Sequence, residues 1–105
     1  MTEFRVCLVT VPDREVAGKI AEDIVRAQLC ACVNLISGIE SIYHWQGKIE
    51  YGDEILMLIK TQQSCLEALD ARIRLIHPYE VYEFIALPVD YGNNNYLKWI
   101  HDSTS

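Results

Sequence analysis

An α+β sandwich of element order βαββαβ, closed by a short tail helix, is the fold class that this sequence predicts. Three observations point to it. Strand-length apolar runs alternate with two helical stripes. Two long strands flank a two-residue turn. The chain has 105 residues, close to the commonest size of one domain.

The first strand is FRVCLVTV, Phe4 to Val11, a β-branched apolar run closed by Pro12. Asp13 then stands where a helix N-cap belongs. Beyond it Ala17, Ile20, Ala21, Ile24 and Val25 recur at helical spacing, to about Leu29.

From Ala31 to Trp45 the odd positions read Ala, Val, Leu, Ser, Ile, Ser, Tyr, Trp, a strand with one mostly apolar face. Gln46-Gly47 supplies the turn, with glycine taking the positive φ of a primed hairpin. The chain returns from Lys48 to Thr61. Ile49, Tyr51, Ile55, Met57 and Ile59 share one face, and Glu50, Glu54 and Lys60 the other. Leu56 and Leu58 also fall on that second face, so the strand reads as central and covered on both sides.

Two strands of ~13 residues at ~3.3 Å per residue reach ~40 Å, whereas a compact domain of this length has a radius of gyration near ~13 Å. The hairpin tip, with Tyr43, His44 and Trp45, is therefore expected to overhang its own domain. Exposed aromatic ribbon of this kind calls for a partner subunit, and an oligomer follows from the geometry.

Ser64-x-x-Glu67 has the form of a capping box opening a second helix, whose stripe is Leu66, Leu69, Ile73 and Ile76. Pro78 disfavours helical backbone at His77 and stops it. Val81 to Val89 reads as a fourth strand, bent or placed at an edge by Pro88. Gly92 and three asparagines make a turn before a terminal helix that begins at Tyr96 to Ile100. The order is the ferredoxin-like split βαβ arrangement, both main helices on one face of an antiparallel sheet, as a single domain over residues 1–105.

Half of the residues are apolar, and nine basic residues stand against fifteen acidic ones for a net charge of −6. Phosphate binding needs clustered Lys and Arg, so nucleic acid and anionic membranes are poor partners. Met1, Thr2 and Glu3 open without a basic leader, and no apolar run approaches the ~20 residues of a membrane span, so a cytoplasmic location is expected. The cysteines Cys7, Cys30, Cys32 and Cys65 read as free, mostly buried thiols, since Cys30-x-Cys32 is too tight for a zinc knuckle.

The sequence has no glycine-rich phosphate loop, no H-E-x-x-H and no G-x-S-x-G. His44, His77 and His101 fall on the hairpin tip, a helix end and the tail helix. On a strand, Glu80 and Glu83 would point to opposite faces and could not act as an acid–base pair. Glu83, beside Phe84 and Ile85, would need a cationic partner, for which Lys60 is the candidate. Trp45, Tyr51, Tyr79, Tyr96 and Trp99 suit a subunit interface or a small-molecule pocket.

Six motifs occur in order and in register: TVPD (Thr10 to Asp13), ACVNL (Ala31 to Leu35), SIYxWxGKIE (Ser41 to Glu50), IKT (Ile59 to Thr61), HPYExxE (His77 to Glu83) and YxxW (Tyr96 to Trp99). Together they resemble the CutA divalent-cation-tolerance family across essentially the whole chain. The resemblance implies a homotrimer with the long hairpins packed between subunits, the plan of PII-type signalling proteins, with Tyr43, Trp45 and Tyr51 at the trimer interface. It implies a non-enzymatic link to divalent-cation tolerance, with weak binding of Cu²⁺ or another divalent cation that folding does not require. The alternative it offers is a PII-like adaptor binding a small anionic metabolite in inter-subunit clefts. Lys60, Tyr79, Glu83 and Trp99 would line such a cleft.

Three positions depart from the family pattern. Val9 and Ile76 stand where a cysteine and a second histidine are expected, leaving His77, with Cys7 earlier on the same strand face as its implied co-ligand. Tyr82 stands where proline is frequent, so a looser bend is expected there.

Overall fold

In the computed structural model, which describes residues 3–105, Phe4–Val11 forms β1 and Arg14–Arg26 forms α1. Met1 and Thr2, which opened the leader argument, lie outside the described residues. The Asp13 carboxylate accepts from the Val16 amide at 2.9 Å, capping α1 as expected. The helix stops at Arg26 because Gln28 turns to φ 60°. The amides of Gln28 and Leu29 then donate back to the carbonyls of Val25 and Ile24, both at 3.0 Å, which is a Schellman closure.

Cys32–Trp45 (β2) and Lys48–Gln62 (β3) form the long hairpin, registered from Cys32 opposite Lys60 to Trp45 opposite Lys48. Gln46 and Gly47 both hold positive φ, 51° and 82°, as a type I′ turn requires. The molecule extends 44 Å along its longest axis against 26 and 23 Å across, the overhang that the strand lengths predict.

Strand order is β2-β3-β1-β4, where β4 is Ile85–Pro88, paired antiparallel to β1. Leu66–Ile76 (α2) and Asn94–Ser103 (α3) complete the fold, with Asn93 capping α3. Cys7, Val9, Val11, Met57 and Ile59 on one sheet face pack with Ile20 and Ile24 of α1 and Leu69 and Ile73 of α2, forming the main core. Arg72 fastens the two helices through Asp23, its Nε and Nη2 donating at 2.6 and 3.0 Å.

Four expectations are corrected. The capping box is not used: a 3₁₀ turn over Gln63–Cys65 precedes α2, and neither segment has a side-chain cap bond. The fourth strand is only four residues long, because residues 77–84 are irregular. The second face of β3 is left open around Leu56 and Leu58 among the described residues, since these two are only half-buried and Ile36, Ile85 and Leu87 on the same face are exposed.

The fourth correction concerns β2. Ser37 and Gly38, the latter at φ 81°, together oppose the single residue Ile55, making a bulge. A bulge shifts the side-chain alternation by one. Val33 and Leu35 therefore face the core, while Ile39, Ser41, Tyr43 and Trp45 face the open side, opposite to a continuous alternation.

Candidate functional site

The segment 77–84 is folded back over the open sheet face by His77. Pro78 sets His77 in extended backbone, φ −63° and ψ 130°, and its ring turns inward to near-complete burial. Nε2 lies 2.8 Å from the Thr10 carbonyl, and Nδ1 lies 3.2 Å from the Tyr79 amide nitrogen. A carbonyl only accepts and an amide N–H only donates, so the ring is the neutral tautomer with its proton on Nε2. Tyr79 and Tyr82 pack on the ring, with centroids 4.8 and 4.9 Å away. The Tyr82 hydroxyl donates to the Asp70 carboxylate of α2, so the bend expected to be loose is tethered at this position.

Folding this segment down creates a cleft of about 640 Å³ between it and the outer half of the hairpin. Thr10 and Glu54 come from the open face of the sheet, Ser41, Tyr43 and Trp45 from β2 beyond the bulge, and Tyr79, Glu80, Val81 and Glu83 from the fold-back. The Tyr79 hydroxyl donates to Glu54 Oε2 at 3.0 Å, bridging the two walls. Burial, followed by that carboxylate, pushes the Tyr79 phenol up to about 12, so it remains a donor at any physiological pH. Burial, with Glu54 nearby, also holds the Glu83 carboxyl above its usual range. Among the described residues no Lys, Arg or His lines the cleft.

The implied metal pair fits poorly. Both ring nitrogens of His77 already have backbone partners, so ligation would break one of those bonds. Cys7 is fully buried in the core, its thiol pushed up to about 11 by desolvation. Thr10, the partner of His77, lies three residues along β1 from Cys7, about 10 Å. Among the described residues no three His, Cys, Asp or Glu side chains converge to hold an ion.

The implied cleft set is divided. Tyr79 and Glu83 share the cleft with Tyr43 and Trp45, whereas Lys60 lies opposite Cys32, Nζ to Sγ 3.9 Å. Trp99 packs on Tyr96 at 5.6 Å, and burial, followed by the nearby Cys32, raises the Tyr96 phenol above its ordinary value. Lys60 is six residues from Glu54 along β3, about 20 Å, and does not face Glu83 as expected. Tyr51 is exposed on the opposite face of the hairpin from Tyr43 and Trp45.

Glu54, Ser41 and Glu80 belong to the cleft but carried no sequence assignment. Strand alternation, which would separate Glu80 from Glu83, does not apply to an irregular segment. Gly38 inside a strand was the available signal, since an interior glycine marks a bulge, and the bulge turns Ser41 towards Glu54.

The sequence matches the family described as "CutA1 divalent ion tolerance protein" over residues 5–103. It is 44% identical over 99 residues to the "Divalent-cation tolerance protein CutA" of Thermus thermophilus, covering 94% of this chain and 96% of that protein. It is 55% identical to "Protein CutA" of Mus musculus over 91% of this chain but only 54% of that protein, so it spans about half the length of such relatives. Among solved structures, CutA1 of Thermus thermophilus superposes with a TM-score of 0.95 at 43% identity, covering 97% of this chain and 99% of that one. CutA1 of Oryza sativa does so with a TM-score of 0.95 at 43% identity, over 99% and 95%.

Proposed function

Because the chain belongs to the CutA1 divalent ion tolerance family, we propose that it acts in divalent-cation tolerance, as a homotrimer that holds cations weakly and catalyses no reaction. The observation carrying this reading is the cleft, where Glu54 and Glu83 face the same space with no basic side chain among its lining residues. Hard divalent cations take oxygen ligands, and two carboxylates without a closed cage give loose, exchangeable binding. The same lining disfavours a small anionic metabolite, which would meet three carboxylates and no cationic side chain among the lining residues.

The open sheet face supports self-association. Ile36, Ile85 and Leu87, each 40% exposed or more, form with Leu56 and Leu58 an apolar surface that a monomer would leave in water. Ile42, Ile49 and Tyr51 extend apolar surface along the other side of the overhanging hairpin. The non-catalytic reading is supported by Cys7 and Cys30, which burial holds protonated, up to about 11 and about 12, and by His77, both of whose ring nitrogens are engaged.

Calorimetric titration with Cu²⁺ and with Mn²⁺ tests the reading. The wild type should bind at least one of them weakly, and the double variant Glu54→Gln/Glu83→Gln should not. Absence of binding by the wild type to either ion rejects the cation role.

A further inference from the structure

We propose that the cleft between the outer half of the hairpin and residues 79–83 is a site for a small organic ammonium compound, recognised by carboxylates through its charge and by aromatic rings through its carbon chain. This rests on the cation reading of the same cleft and narrows its ligand class. Glu54, Glu80 and Glu83 supply the negative charge, and Tyr43, Trp45 and Tyr79 supply the aromatic surface.

The distribution of these groups selects the ligand. A bare metal ion needs several oxygens converging on one point at short range, and no three acidic or other ligating side chains do so among the described residues. The carboxylates are instead spread around a cavity of about 640 Å³, large enough for an organic molecule. An ammonium group needs only one or two carboxylates at hydrogen-bond distance, and its carbons gain from apolar walls. Aromatic faces add to the attraction, since the electron-rich face of a Trp or Tyr ring draws a cation placed over it. The Tyr79–Glu54 bond at 3.0 Å fixes one ring and one carboxylate in advance, lowering the ordering cost of binding.

The probe is 1,4-diaminobutane, titrated calorimetrically and followed by saturation-transfer NMR, with 1,4-butanediol and succinate as neutral and anionic analogues. Saturable binding of the diamine alone is expected. Glu54→Gln/Glu83→Gln and, separately, Trp45→Leu should each weaken it by roughly tenfold or more, about 1.4 kcal/mol, with the circular dichroism of the folded wild type retained. No saturable diamine binding, equal binding of butanediol, or full retention in both variants overturns the proposal. A protein that binds Mn²⁺ or Cu²⁺ but not the diamine fails this inference alone. One that binds the diamine but neither metal fails the metal reading alone.

Discussion

Replacing His77 by alanine removes two backbone partners at once, leaving the Thr10 carbonyl and the Tyr79 amide without the ring that joins them. We expect a loss of about 1–3 kcal/mol, the cost of unpaired buried polar groups, read as a lower urea midpoint. Thr61 gives a cleaner case. Its fully buried hydroxyl donates to the Leu29 carbonyl at 2.7 Å, so near-isosteric Thr61→Val should cost about 1–2 kcal/mol in urea unfolding. Single residues are where sequence reading is weakest. His77 and Pro78 announce a helix stop, but the two acceptor–donor partners of the ring come from β1 and from two residues downstream, and only the folded chain brings them together.

At the scale of elements, most of the fold was legible because each signal was local. Phe4–Val11, the Asp13 cap, the Gln46-Gly47 turn and the Pro78 stop all depend on neighbours in sequence. Strand alternation failed twice for one physical reason: it assumes an unbroken period of two. The Ser37-Gly38 bulge reverses it in β2, and the fold-back of residues 77–84 abolishes it before β4. Two substitutions probe these backbone switches. Gln28 closes α1 at φ 60°, a conformation that costs a side chain but not glycine, so Gln28→Gly should stabilise by about 0.5–1 kcal/mol. Gly38→Val, at φ 81°, should destabilise by about 1–2 kcal/mol, because a β-branched residue is strained there. Thermal melting of both variants checks the opposite signs.

At the scale of the whole molecule, acidity and exposed apolar surface are the properties that matter. Glu83 has its folded carboxyl raised by burial and by Glu54, so the folded state binds its proton more tightly than the unfolded chain. The resulting destabilisation is complete at neutral pH and is relieved as pH falls through the raised folded value. Glu83→Gln should therefore raise the melting temperature at pH 7 and flatten its dependence across the carboxylate range; unchanged pH dependence would remove Glu83 as the source. The larger claim is that the open face of the sheet, with Ile36, Ile85 and Leu87, is where copies of the chain meet, with the acidic cleft beside it. Light scattering coupled to size exclusion, over a hundredfold range of concentration, tests this most directly. We predict a mass of three chains throughout, falling to one chain when Leu87→Asp places a charge in that face. A wild-type protein that runs as a monomer at every concentration would contradict the account.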